Sequence, residues 1–162
     1  MEAITNKYPI RQHKVGYDVK EVEQRYLKLY TGLVYDAMES LGIKGRALQS
    51  GIYPLTHTMK LAGPAFTCHG IATPSRDAKI HDIRLGMFKS MTEGVVQIRD
   101  TQGDNSAGHF GEISATAAAP HGCVGAVIDG STRDSNYLID MGFPTFCRFR
   151  NPVEAFGRFI VV

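Results

Sequence analysis

Apolar and polar positions along the chain change period several times, and each change marks an element. Residues 18–30, DVKEVEQRYLKLY, lack Gly and Pro and predict a helix capped by Asp18, with Glu21 as its capping-box partner. Thr31-Gly32 then breaks the pattern. A second helix is expected over 33–41, where Val34, Ala37, Met38 and Leu41 recur on one face and Gly42 ends it. Asp36 falls on the opposite face and reads as a solvated acid. Residues 43–58 carry Gly45, Gly51 and Pro54 and read as loop, while 59–74, MKLAGPAFTCHGIATP, read as an extended segment bent at Gly63-Pro64. Helical spacing returns over 78–91 through Ile80, Ile83, Met87 and Met91.

Farther along the chain, periods shorten and turn formers gather. Gly94 precedes a short apolar strand, VVQI at 95–98, and the following RDTQGDNSAG predicts a loop holding Asp100 and Asp104. Glu112 to Ala119 predicts a compact, Ala-rich helix ended by Pro120 and Gly122. The run CVGAVIDG, 123–130, is apolar and β-branched, as in a strand buried on both faces, and SNYLIDMG predicts one more helix. Helices alternating with short apolar strands predict one mixed α/β domain with parallel crossovers, preceded by an irregular arm at 1–17.

Composition narrows the function classes. A hydrophobic content of 43% with 21% charged residues suits a soluble globular domain. The net charge of +2 comes from 18 basic and 16 acidic residues that are interleaved, so no basic stripe for nucleic acid is present. No apolar run reaches the ~18–20 residues of a membrane span. The opening MEAITNKYPIRQHK has no apolar signal core, so a cytoplasmic protein is expected. Cys68, Cys123 and Cys147 include no C-x-x-C pair and read as buried reduced thiols. His57, His69 and His81 are too evenly and widely spaced for a compact zinc motif and read as surface or strand histidines.

The candidate chemistry lies in 108–148, at two polar junctions. At the first, Gly111-Glu112 opens a helix whose initial N–H groups have no intrahelical acceptor and suit a carboxylate or phosphate. At the second, Asp129-Gly130-Ser131-Thr132-Arg133-Asp134 follows the buried strand, at the end where open α/β sheets bind ligands. Arg133 is a permanent cationic fork suited to a carboxylate or enolate oxygen, and Asp134 is a hard oxygen ligand of the kind Mg²⁺ or Mn²⁺ takes. The competing reading is an Arg-Asp pair that caps the next helix and neutralises itself. A facing pair of junctions would make one anion-and-metal site.

At these residues the sequence resembles the RraA-like family. The resemblance is carried by Gly111-Glu112-Ile113-Ser114-Ala115-Thr116-Ala117-Ala118, by Gly125-Ala126-Val127-Ile128-Asp129-Gly130 with Arg133-Asp134, and by Met141-Gly142-Phe143-Pro144. Asp36-Ala37 with Leu41-Gly42, and Leu61-Ala62-Gly63-Pro64-Ala65, extend it to about residues 30–157. Within the family the sequence is most similar to 4-hydroxy-4-methyl-2-oxoglutarate aldolases, which also cleave 4-carboxy-4-hydroxy-2-oxoadipate. The resemblance implies a swivelling β/β/α domain, a mixed sheet with flanking helices, assembled as a homotrimer or homohexamer. It implies a metal-dependent (class II) cleavage to pyruvate and a second 2-oxo acid, with oxaloacetate decarboxylation as a side activity.

By the same resemblance, the backbone amides of Gly111, Glu112, Ile113 and Ser114 would hold the substrate carboxylate. Arg133 would bind the keto oxygen, Asp134 the Mg²⁺ or Mn²⁺, and Glu112 would act through water on the metal. Two alternatives come from the same family: regulators that bind ribonuclease E without turnover, and lyases of other 2-oxo acids. The Arg133-Asp134 pair favours the aldolase. The chain reaches GRFIVV at 157–162 and stops short of the family's further strands, one of which can lend an acid to a neighbour's site, so an unpaired sheet edge is expected.

Overall fold

A computed structural model describes residues 14–162, so most of the expected arm at 1–17 lies outside the described residues. Helix α1 (Val19–Leu27) starts as its capping signal predicts, with the Asp18 carboxylate accepting from the Glu21 N–H at 3.0 Å. The break before the next helix falls at Lys28–Tyr30 rather than at Thr31-Gly32. Tyr30 is extended, and α2 runs Thr31–Ser40 with Thr31-Gly32 inside its first turn. The apolar face predicted for α2 forms, but neither α1 nor α2 has a buried residue, and Leu41 stays 76% exposed.

The body of the fold is a six-stranded sheet in the order β1-β5-β4-β3-β2-β6. Its strands are β1 (Tyr53–Pro54), β2 (Ala65–Ala72), β3 (Val95–Asp104), β4 (Cys123–Thr132), β5 (Thr145–Arg150) and β6 (Phe159–Val161). Strands β2 to β5 are parallel, joined by α3 (Lys79–Lys89), by α4 (Glu112–Ala118) with a 3-10 turn at Ala119–His121, and by α5 (Ser135–Asp140). Edge strands β1 and β6 run antiparallel. The outer side of β2 is paired by β6 from Gly70↔Val161 to Ala72↔Phe159, so the short strand formed by the GRFIVV stretch is itself a sheet edge. The alternation of helix and strand therefore gives the mixed α/β sheet that the sequence predicts.

One element is longer than expected. The stretch read as a loop from Arg99 continues β3 as far as Asp104, because pairing with β4 outweighs local turn preference. The turn formers act instead as an irregularity: the register shifts between Asp100 and Asp104, where Gln102 and Gly103 take positive φ. Beyond β3 the chain bends away over 105–107 and then returns. It runs beside the end of β4, with bridges Phe110↔Thr132 and Gly108↔Glu154, before α4 begins.

The core lies between the sheet and its crossover helices: Met87 and Phe88 from α3, Ala115 and Ala118 from α4, and Leu138 from α5 pack on Ile128, Ala126 and Cys68. Small residues on α4 let it sit close to the sheet, which fixes where its first turn points. The exit from α4 depends on Gly122. It holds φ +92°, and an added Cβ would come within 2.6 Å of the Glu93 Cα. Gly122→Ala is expected to lose on the order of 1–3 kcal/mol of stability, read as a lower midpoint in denaturant melts.

Candidate active site

The two polar junctions meet, as their sequence suggests, because the segment before α4 lies alongside the loop after β4. The Arg133 N–H and the Thr132 hydroxyl both donate to the Phe110 carbonyl at 2.8 Å, and the His109 N–H donates to Ser131 O at 2.9 Å. Phe110 is 1% exposed and stacks on Phe143, so this join is anchored in the core. The residue after Arg133, Asp134, has φ +54°, a left-handed conformation that Asp tolerates better than most residues. It swings the Asp134 carboxylate back toward the start of α4.

There the carboxylate meets both junctions at once. Arg133 Nε donates to Asp134 Oδ2 at 3.2 Å and approaches Oδ1 at 3.4 Å, while the Glu112 N–H donates to Oδ2 at 3.3 Å. Gly111 makes room: a Cβ there would stand 2.6 Å from Asp134 Oδ2 and 2.8 Å from Arg133 Cγ. The pair is about one-third exposed, with side-chain values of 34% and 29%, so its attraction contributes little to stability. Both charges remain reachable by a ligand. The first intrahelical bond of α4 is Ala115 N–H to Gly111 O at 3.1 Å, so the amides of Ile113 and Ser114 precede the helix's own acceptors.

Beside this junction lies a cavity of about 110 Å³. Its walls include Gly111, Ile113, Ser114, Arg133 and Asp134, together with Arg84, Arg99, His109 and Glu154. The Glu112 side chain is exposed and is not part of the wall; its backbone amide makes the contact. A larger, more open depression of about 360 Å³, lined by Asp134, Ser135, Asn136, Tyr137 and Arg150, lacks this concentration of charge.

Arg84, Arg99 and His109 are the residues that sequence reasoning did not single out. Arg84 lies on a helix, where a charged side chain ordinarily points to water. Arg99 is the first residue of the stretch that the sequence predicts as a loop. A signal was present in the alternation: Val95, Gln97, Arg99 and Thr101 are two residues apart and all buried, the last three at 0–2% exposure. One face of β3 thus turns polar as it approaches the cavity.

Polar burial is concentrated here. Arg99 donates to the His109 carbonyl and to Gln97 Oε1 at 3.3 Å, and its guanidinium lies 4.8 Å from the Phe110 ring centre. Among the described residues, the buried side-chain atoms without a hydrogen-bond partner are Arg99 Nε, His109 Nδ1 and Ser131 Oγ. Burial pushes the Arg99 guanidinium down to about 10, with nearby Arg84 adding to the effect. Arg84 is also lowered by burial, which the Glu154 charge partly offsets.

Asp104 has a supporting place and Asp100 does not. His109 Nε2 lies 2.7 Å from Asp104 Oδ2; a carboxylate only accepts, so Nε2 carries the proton. Burial pushes His109 below its usual range, and the contact with Asp104 only partly restores it. For Asp104, burial pushes upward, but bonds from Ser106 and His109 outweigh it and hold the carboxyl low. A histidine with a lowered folded pKa contributes stability that is present above the unfolded value of 6.5 and is lost as pH falls below it. The melting temperature is therefore expected to drop from pH 7.5 toward 5.5, and His109→Gln to flatten that slope. Asp100 instead accepts from the Gln102 N–H at 3.0 Å and lies 3.4 Å from His69, away from the cavity wall.

Among the described residues no three His, Cys, Asp or Glu side chains gather as a metal cluster. His57 and His81 are exposed and His69 lies on β2, so they are surface and strand histidines; His81 stacks on Phe156. The three cysteines are free, buried and pushed up by burial, as inert thiols are. No helix among the described residues is long and apolar enough to cross a membrane.

A mixed α/β sheet whose site joins the start of α4 to the Arg133-Asp134 loop defines a class. Residues 31–159 match the RraA-like (Aldolase/RraA) family, and the chain belongs to it. It is similar to Protein DlpA of Legionella pneumophila, 26% identical over 124 residues, which is 76% of this chain and 20% of that protein. The chain thus spans about a fifth of that relative's length. Among solved structures, one described as novel cellulases from microbes associated with the gut ecosystem is 28% identical, with a TM-score of 0.84 over 99% of this chain and 72% of that one. Streptomyces coelicolor RraAS2, described as an unusual member of the RNase ES inhibitor RraA family, shares the fold at 22% identity and a TM-score of 0.70, over 88% and 68% of the respective chains.

Proposed function

We propose that the chain carries a divalent-metal-dependent lyase site that cleaves a small 4-hydroxy-2-oxo acid, of the 4-hydroxy-4-methyl-2-oxoglutarate or 4-carboxy-4-hydroxy-2-oxoadipate type, to pyruvate and a second 2-oxo acid. The observation that carries this reading is the convergence of Arg133, Asp134 and the first turn of α4 on one small cationic cavity. Family membership adds to it, since the family includes aldolases.

Asp134 is the residue that would hold the metal. One carboxylate suits Mg²⁺ or Mn²⁺, which keep several water or substrate ligands, and does not suit zinc, which wants three or four protein ligands. Such an ion supplies Lewis-acid stabilisation to an oxygen on which negative charge develops. The chain's own groups do the rest. The amides of Ile113 and Ser114 face the C1 carboxylate, and Arg133 turns its fork to the C2 oxygen. The C4 hydroxyl gives up its proton, and we assign Glu112, whose side chain lies outside the cavity wall, to take it up through water. The C4 oxygen closes to a carbonyl as the C3–C4 bond breaks, which releases the second 2-oxo acid. The electrons of that bond form a C2=C3 double bond and push the C2 carbonyl pair onto its oxygen, leaving a pyruvate enolate that Arg133 stabilises and water protonates at C3. Oxaloacetate decarboxylation passes through the same enolate and is expected as a side activity.

The metal assignment has its own test. Mn²⁺ titrated into the native chain should bind at one site by electron paramagnetic resonance, and Asp134→Asn should lose that binding. Asn tolerates the left-handed backbone at this position, so the variant keeps the fold. Equal Mn²⁺ binding by both chains would remove Asp134 from the metal site. A second reading, a regulator that binds ribonuclease E without turnover, is favoured by the pairing of Arg133 with Asp134, which leaves the two charges satisfying each other. It predicts co-elution with that ribonuclease and no pyruvate.

A further inference from the structure

The cavity wall carries two further cations that the reaction above does not use. Arg84 from α3 and Arg99 from β3 both line it, along with the Arg133-Asp134 pair. Arg99 is 2% exposed, and among the described residues no carboxylate forms an ion pair with it; its contacts are a backbone carbonyl, an amide oxygen and an aromatic face. Its Nε–H has no acceptor. Arg84 likewise makes no ion pair among the described residues, and Glu154, the other acid on the wall, acts on it only through space.

Burying a charge is costly unless a partner compensates it, and an unpaired buried arginine beside a second one is costlier still. Structures keep such an arrangement where an anion arrives to complete it. The geometry points to Arg84 and Arg99 as a second anion seat, which takes a carboxylate at the far end of the substrate while the first carboxylate lies at the α4–Arg133 end. The seat is a specificity element: it selects acids with two carboxylates over those with one. It rests on the cavity being the substrate site, and so on the function proposed above, but it can fail independently.

The discriminating probes are succinate and butyrate, which have the same four-carbon length and differ in one terminal carboxylate. Neither has a 2-oxo group, so neither depends on the lyase chemistry. Calorimetric titration of the native chain should find succinate bound about tenfold or more tighter than butyrate, the scale of one charge-assisted contact. Arg84→Met, half-buried and therefore the safer substitution, should bring that ratio close to one while its melting temperature confirms the fold. Arg99→Lys keeps the charge without the fork and should reduce the ratio by a smaller factor. Equal affinity for the two acids in the native chain, or a preference untouched by Arg84→Met, would overturn the seat. A succinate preference that depends on Arg84 in a chain releasing no pyruvate supports the seat and removes only the lyase reading. Pyruvate release without any succinate preference removes only the seat.

Discussion

Arg133→Ala is expected to lower pyruvate release from 4-hydroxy-4-methyl-2-oxoglutarate by about 10²–10³-fold, the scale of losing one group that faces developing negative charge. The loss should fall on kcat as well as kcat/KM, because the enolate carries more charge on the C2 oxygen than the ground-state ketone does. Stability should change little, by about 1 kcal/mol or less, since the Arg133–Asp134 ion pair is one-third exposed. Arg133→Lys restores charge but not the planar fork and is expected to recover only part of the rate. An Arg133→Ala chain with native kcat would remove this residue from the chemistry.

The second large effect is expected from a residue that carries no functional group. Gly111→Ala introduces a methyl within 2.6 Å of Asp134 Oδ2 and 2.8 Å of Arg133 Cγ. Gly111 has φ −166°, an extended conformation that alanine adopts without strain, so the cost lies in displacement rather than in the backbone. Both neighbours are side-chain atoms that can turn away, and the fold should survive with a nearly native melting temperature. The site should not. Displacing the carboxylate and the guanidinium by the order of an ångström is expected to cost about 10²-fold in kcat/KM. A small activity loss with a large stability loss would place Gly111 in the scaffold instead.

The parts of the site that were legible in the sequence are those fixed by local chemistry. The Gly111-Glu112 helix start, the apolar run from Cys123 and the polar Asp129–Asp134 stretch each follow from short-range preference, and the sheet brings them together. What escaped was set by tertiary pairing. Turn formers after Ile98 outweighed the strand in the sequence, yet pairing with β4 carries β3 to Asp104 and buries Arg99. Arg84 resembles any solvent-facing helix cation until Arg99 is placed opposite the same cavity. The α2 face shows the converse: its 3.6-residue period predicts the helix correctly, but a period cannot say what, if anything, in the chain covers it.

The self-pairing of Arg133 with Asp134, first read as a competitor to function, is compatible with it. A partly exposed pair with two hydrogen bonds near 3.3 Å can open to a carboxylate and a cation without exposing a buried charge. In that view the pair holds the site in shape until substrate and metal arrive. The account stands on one reaction, so the deciding measurement is pyruvate release from 4-hydroxy-4-methyl-2-oxoglutarate by the native chain, first with Mg²⁺ and then with excess chelator. The prediction is turnover with Mg²⁺ that falls to background in chelator and returns when Mg²⁺ is restored. Full turnover in chelator, or none with any of Mg²⁺, Mn²⁺ or both, would contradict it.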